Sequence, residues 1–328
     1  MTRPRIGFLG VGWIGRNRME GMLATGLVDA AGIADPSAEV AAEAGLLAPG
    51  AARVGTLDEL LDLGLDGIAI ATPSALHADQ AIQALERGVA VFCQKPLGRT
   101  AAEVRSVTEA ARAADLLLGV DLSYRFTQGM EAIRALVQAG ELGRVYAVNL
   151  VFHNAYGPDK AWFYDPALSG GGCVMDLGVH LVDLALWTLG FPHVTDASAR
   201  LFAAGAPLGA GQVEDYAAAH FDLASGATVQ LACSWRLQAG QDAVIAAEFY
   251  GTQGGAALRN VGGSFYDFRA ERFRGTASET LASPPDAWGA RGAAEWARAL
   301  AAGAGFAGST SGLVETAQVL DRIYGRGA

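Results

Sequence analysis

The sequence predicts an α/β protein of two domains: a parallel sheet covered by helices on both faces, then an α/β domain with a large open, mainly antiparallel sheet. Three observations predict it. Over the first 120 residues, unbroken apolar runs of strand length alternate with Ala/Glu/Leu-rich segments of helical spacing. A glycine-rich turn follows the first of those runs. Beyond residue 122, helices give way to strand-like runs joined by short turns.

In order, strands are expected at 6–9, 30–34, 68–71, 89–93 and 116–120, with helices at 78–86 and 101–113 between them. Such alternation is the signature of a parallel sheet. A helix is expected at 127–139, a strand at 145–154 (VYAVNLVFHN), and a strongly apolar helix at about 173–189. A hairpin turning at Ser225-Gly226 follows, then strands at 243–251 and 264–273. The stretches 203–211 and 282–292 read as loops. Residues from about 293 to 325 read as a terminal helix packing back toward the first domain. The domain boundaries expected are 1–121 and 122–328.

Composition narrows the function classes. Half the residues are apolar and 18% are charged, enough for sizeable cores and far from disorder. The formal net charge of −10 offers no basic footprint for nucleic acid or for an anionic membrane. Cys93, Cys173 and Cys233 are odd in number, lie 60 to 80 residues apart and form no CxxC, so reduced thiols in a cytoplasmic protein are expected. The apolar run near the N-terminus is short, broken by glycines and followed by no cleavage-like site, and no 18-residue apolar stretch predicts a membrane span.

The glycine turn is Gly10-x-Gly12-x-x-Gly15, with Trp13 and Ile14 inside it. Glycines there permit a tight turn and close approach of a pyrophosphate, and the N–H groups of the next helix face the phosphates. Asp35 follows the second strand, 20 residues beyond Gly15. That is the spacing for a carboxylate accepting hydrogen bonds from an adenosine ribose. It repels a 2′-phosphate and no arginine follows it, so NAD is favoured over NADP. Asp35 also reads as a turn or capping residue, a role compatible with the first. Thr72, Pro73 and Ser74 follow the strand at 68–71, at the sheet edge where ligands bind in such folds. His77 reads equally as a cofactor contact or as a capping or surface histidine. Lys95 follows the strand at 89–93 and precedes Pro96.

The second chemical constellation lies in LSGGGCVMDLGVHLVDLALWTLG. Asp176 and His180 are four apart and share a helix face, and Asp183 continues the stripe. The other faces are apolar, so the helix is expected to be buried and its charges to need a purpose. Three readings stand: a satisfied core pair, part of a metal site, or acid–base chemistry in which a carboxylate orients a histidine. The third is preferred, because no further metal ligand clusters nearby. Tyr124, Arg125, His153, Tyr156, Trp162, Tyr164 and Asp165 are aromatic or hydrogen-bonding residues suited to a sugar. Arg125 reads equally as a structural ion pair and Trp162 equally as packing.

Taken together, Gly10-Val11-Gly12-Trp13-Ile14-Gly15, Asp35, ATPSALH, QKPLGRT, YRF at 124–126, GGGCVMDLGVHLVD and EFYGTQGG at 248–255 resemble the glucose–fructose oxidoreductase / inositol dehydrogenase / MocA (GFO/IDH/MocA) family, in family order along nearly the whole chain. The resemblance implies an N-terminal Rossmann domain, an NAD cofactor and a C-terminal sheet mediating homodimers or homotetramers. It also implies a sugar, inositol or related polyol as substrate. The roles implied are Lys95 beside the nicotinamide and Asp176 and His180 facing the substrate. The implied cofactor contacts are Gly10, Gly12, Trp13, Ile14, Gly15, Asp35, Thr72, Pro73, Ser74, His77, Gln94 and Lys95. Tyr124, Arg125, His153, Trp162, Asp176 and His180 are the expected substrate contacts. Gln94 departs from the pattern, since the family has a glutamate before the lysine. Two other readings remain at this stage: an NAD-dependent glycosidase working by transient hydride transfer, and a non-catalytic NAD(P)-binding regulator.

Overall fold

The structure, a computed structural model, describes residues 2–306, 310 and 312–326. The chain divides into two compact units. The first comprises 1–98, 102–123 and 290–311; the second comprises 99–101, 124–289 and 312–328.

In the first unit, β1 (Arg5–Leu9), β2 (Asp29–Ala34), β3 (Ala52–Val54), β4 (Gly67–Ile70), β5 (Ala90–Cys93) and β6 (Leu118–Val120) form a sheet in the order β3-β2-β1-β4-β5-β6. The pairs are parallel. This is the doubly wound order whose ligand crevice opens where the direction of winding reverses, between β1 and β4. The helices α1 (Trp13–Leu23), α2 (Ala38–Gly45), α3 (Leu57–Leu61), α4 (Ser74–Glu86) and α5 (Ala101–Ala114) connect the strands. The central strands are apolar on both faces, as burial between helix layers requires: every residue of β4 and β5 is buried.

The second unit opens with α6 (Gln128–Gln138), whose N-cap Thr127 accepts a hydrogen bond from Met130 N. Then come β7 (Val145–Asn154) and the short α7 (Pro166–Ser169). A π-helical turn, Val174–Gly178, runs into α8 (Val179–Leu189). The strands β8 (Val194–Ala203), β9 (Ala206–Pro207), β10 (Tyr216–Leu223), β11 (Thr228–Ser234), β12 (Ala243–Gly251), β13 (Gly255–Asn260), β14 (Phe268–Arg274) and β15 (Ala277–Ala282) complete it. Their order is β15-β14-β13-β12-β7-β11-β10-β8-β9, antiparallel except for the β7–β11 pair. Along β7, Val148, Leu150 and Phe152 face the core while Ala147, Asn149, Val151 and His153 take the other face, the period-two alternation of a half-buried strand.

The terminal segment differs from the single helix read at 293–325. It forms α9 (Arg291–Ala301) and α10 (Leu313–Ile323), the first in unit one and the second in unit two. Gly303, at φ +74°, ends the first run in the left-handed region that favours glycine. On α9, Trp296 packs against Phe92 with the rings tilted and their centroids 5.8 Å apart. A Cβ on Gly67 or Gly119 would sit 2.7 Å from that indole, so strands β4 and β6 carry glycine where the ring crosses them. Among the described residues one helical run, 166–189, is long and apolar enough to cross a membrane, and most of it is buried inside its own unit.

Candidate active site

In the first unit, the sheet's hydrogen bonding continues one residue past each strand and lines up the carboxyl edge. Gly10 N donates to Ala34 O, Ala71 N to Leu9 O, Gln94 N to Ile70 O and Asp121 N to Cys93 O, at 2.8 to 2.9 Å. The residues singled out at strand ends are therefore placed by the ladder itself. Gly10 takes φ +76°, and a Cβ on it would lie 2.7 Å from the Ala71 carbonyl. A Cβ on Gly15 would lie 2.0 Å from Gly10 O. Both glycines are demanded by close approach. The N-terminus of α1, capped by Gly12, has no side-chain capping bond, so its first amides point out of the turn ready for an anion. Trp13 is largely exposed at that turn. These features fit a dinucleotide pyrophosphate.

Asp35 takes the turn role expected of it. Its Oδ2 accepts from Val11 N and its Oδ1 from Ser37 N, each at 2.9 Å. The carboxylate thus ties the glycine turn to the end of β2. Helix α2 is capped by Ser37. A carboxylate has about four acceptor positions, so two remain for ribose hydroxyls. In the segment after β4, the Thr72 hydroxyl donates to Gln80 Oε1 at 2.6 Å, and Pro73 and Ser74 open α4.

His77 corrects the sequence reading. It is not a surface residue: it is 1% exposed, with Nδ1 2.7 Å from Pro96 O and Nε2 2.7 Å from Thr72 O. It bridges the segments that follow β4 and β5. A neutral imidazole carries one N–H and donates to one of these carbonyls at a time. Burial holds His77 below the usual 6.5, against its two backbone contacts and with a smaller push from Lys95. Burial lowers His153 in the same direction. Both are thus neutral in the fold but protonate in the unfolded chain below about pH 6.5, so their contribution to stability is present above that value and lost as pH falls toward their folded values. The melting temperature is expected to drop between about pH 7 and pH 5, and His77→Gln to show a shallower drop. Equal slopes for the two proteins in thermal unfolding scans would exclude His77 as a source.

Lys95 follows β5, with a cis bond to Pro96. Its backbone N donates to Gln94 Oε1 at 2.9 Å. Gln94 is buried, lines a small pocket with Phe8, Gly10, Gly15, Arg18 and Phe92, and sends Nε2 to Asp121 Oδ2 at 2.8 Å. Its amide is thus engaged at both ends within the protein. Burial, aided by Asp121, pushes the Cys93 thiol far up, so it stays protonated.

In the second unit, Asp176 lies in the π turn and His180 just beyond it. Asp176 Oδ2 accepts from Trp235 Nε1 at 3.1 Å. The His180 ring packs on Tyr124 at 4.9 Å between centroids. Tyr124 in turn meets Phe152, Phe268 and Trp288. Burial raises the Tyr124 phenol, as do Tyr266 and Asp176 nearby, so it remains a hydroxyl donor. The glycines before the turn have a steric cause: a Cβ on Gly172 would lie 1.9 Å from Glu214 O. Fully buried Glu214 accepts from Gly172 N and Val174 N, each at 2.9 Å, and from the Tyr324 hydroxyl at 2.7 Å. Burial pushes Glu214 above the usual carboxylate value, against the pull of these bonds.

Two expected substrate contacts are corrected here. Arg125 is tied up by Asp183, with Nε donating to Oδ2 at 2.7 Å and Nη2 to Oδ1 at 2.5 Å. This is the ion-pair alternative, and it also makes Asp183 structural. His153 lies on the face of β7 opposite the core, stacked on Tyr216 and bonded to Ser234 Oγ at 2.8 Å. Phe152, one residue earlier, points to the face that holds Tyr124, so strand alternation takes His153 away from Asp176 and His180. Trp162 stacks on Phe163, which meets Trp235 edge-on. Trp235, Glu214, Asp121 and Arg18 were missed in the sequence; each is a lone residue whose partner is remote along the chain. Among the described residues no three His, Cys, Asp or Glu side chains converge to hold a metal ion.

The family model for an oxidoreductase family with an NAD-binding Rossmann fold matches residues 4–122, and that for the GFO/IDH/MocA C-terminal domain matches 130–257. The chain belongs to the GFO/IDH/MocA oxidoreductase family. The rhizopine catabolism protein MocA of Rhizobium meliloti is 32% identical over 191 residues, 58% of this chain and 58% of that protein. Inositol 2-dehydrogenase of Rhizobium meliloti (strain 1021) is 27% identical over 257 residues, 78% of this chain and 76% of that one. Among solved structures, GenD2 from gentamicin A biosynthesis, in complex with NAD, matches with a TM-score of 0.83 at 25% identity, covering 99% of this chain and 94% of that one. The chain spans about three fifths of the length of the first curated relatives it matches.

Proposed function

We propose that this GFO/IDH/MocA protein is an NAD-dependent oxidoreductase interconverting a secondary alcohol and a ketone on a sugar, inositol or related polyol. The observation that carries the reading is Lys95, held one residue beyond Gln94 on the carboxyl edge of a dinucleotide-binding sheet. The inositol dehydrogenase among its relatives supports the substrate class.

The Gly10–Gly15 turn and the first amides of α1 would hold the pyrophosphate, and Asp35 the adenosine ribose. When bound, the nicotinamide supplies the hydride acceptor or donor. His180 takes the proton of the reacting hydroxyl and returns it in reduction. Lys95, beside the nicotinamide, donates a hydrogen bond that stabilises negative charge developing on a reacting oxygen. Asp176, itself held by Trp235, orients the reacting group or His180. Trp162 offers aromatic surface to a sugar ring, and the buried Tyr124 backs His180.

The test is a panel of sugars, inositols and polyols with NAD, followed by NADH absorbance. Oxidation of at least one member is expected; NADH binding without turnover on a broad panel would overturn the reading. Cofactor choice is tested by titration. NADH is expected to bind at least about tenfold tighter than NADPH, because Asp35 repels a 2′-phosphate. Asp35→Ala should shrink that ratio, and the ratio cancels any general loosening from losing the Val11 and Ser37 bonds. An unchanged ratio would remove Asp35 from cofactor selection.

A further inference from the structure

Arg18, Gln94 and Asp121 meet inside the first unit from three separate elements: α1, the end of β5 and the end of β6. Asp121 Oδ2 accepts from Arg18 Nε at 2.6 Å and from Gln94 Nε2 at 2.8 Å. Its Oδ1 is buried and has no hydrogen-bond partner among the described residues. Arg18 and Asp121 are 9% and 1% exposed at their side chains. Gln94 uses its two ends differently. One donates to Asp121, while the other accepts the backbone N–H of Lys95.

We propose that Asp121 is a positioning residue for Lys95, acting through Gln94, and that it is the reason an amide occupies position 94. Only a side chain that donates at one end and accepts at the other satisfies both neighbours. A glutamate there still accepts from Lys95 N, but its second oxygen faces a buried carboxylate at hydrogen-bond distance. Two carboxylates so placed cannot both ionise, and one takes up a proton. The single guanidinium of Arg18 is matched to one anion, so the network carries one negative charge on Asp121 and none on residue 94. Because Arg18 lies on the helix that starts at the glycine turn, the network also joins that turn to the segment bearing Lys95.

The proposal deepens the functional reading, since it assumes that Lys95 acts on a nicotinamide substrate pair. Its test separates the two. Gln94→Glu, Asp121→Asn and the double variant are compared with wild type by thermal unfolding, by NADH titration and by steady-state kinetics on a substrate of the wild-type enzyme, each from about pH 5 to pH 9. Gln94→Glu is expected to lower the melting temperature by several degrees and kcat by about tenfold, with NADH affinity within a few-fold of wild type. Both losses should grow as pH rises and the shared proton leaves. The double variant restores a single buried carboxylate, and it is expected to regain at least half of each loss with a flat pH profile. Additive losses in the double variant overturn the proposal, as does a pH-independent loss, or none, in Gln94→Glu. Wild-type protein that does not bind NADH at all would sink the functional reading, while the unfolding cycle would still decide the coupling.

Discussion

Lys95→Ala is expected to bind NADH within a few-fold of wild type and to turn over any substrate of the wild-type enzyme about 10²- to 10³-fold more slowly, the usual cost of removing a donor aimed at developing negative charge. The separation follows from where the residue sits. The anchors proposed for the cofactor are backbone amides at the glycine turn and the Asp35 carboxylate, none of which involves the Lys95 side chain. What Lys95 adds is a positive charge on the sheet's carboxyl edge, carried by a backbone fixed through Gln94 and through the Pro96 carbonyl that His77 touches. Loss of that charge should fall on kcat, because the interaction is stronger with an alkoxide-like transition state than with a neutral alcohol. Lys95→Arg should recover little, since a planar guanidinium does not reproduce a compact ammonium in a fixed position. The check is steady-state kinetics beside an NADH titration. Near-normal kcat in Lys95→Ala would remove it from the chemistry.

What could be read in the chain beforehand divides along physical lines. The glycine turn, Asp35, Lys95 and the Asp176/His180 helix declare themselves because each depends on residues close in sequence, with a spacing set by one turn or one helix. Strands β4 and β5 are equally legible, being apolar on every residue. By contrast, β3 has three residues with Arg53 at its centre, and β8 reads VTDASARLFA, rich in small and polar residues of low strand preference. Neither carries a period that stands out from a loop. The residue type of His153 suggests a substrate contact, but its parity along β7 sets it on the face opposite Phe152. Trp235, Glu214 and Asp121 act through partners 59, 42 and 27 residues away. No local pattern encodes such pairings. The departure at Gln94 was visible in the sequence; its cause becomes visible only when β6 lies beside β5 and brings Asp121 to it.

The largest expected effect on stability is at Asp183. Asp183→Ala should destabilise the second unit by about 3–5 kcal/mol, because it strands the Arg125 guanidinium in a site where that side chain is only 12% exposed. For a unit of this size that corresponds to a melting temperature lower by roughly 6–20 °C, read by thermal unfolding. The argument rests on asymmetry between breaking a buried pair and replacing it. The two charges meet through two parallel N–H···O bonds, and Arg125 also lies over the rings of Trp187 and Phe191. Removing one partner therefore leaves a desolvated charge, whereas removing both leaves an apolar gap among aromatic neighbours. Arg125→Met combined with Asp183→Leu should then be markedly more stable than Asp183→Ala alone, even though it changes more atoms. If the double variant were the less stable protein, the pair would be contributing net attraction beyond its desolvation cost. If Asp183→Ala were near neutral, Arg125 would have another anion or water available, and its reading as a purely structural residue would fall.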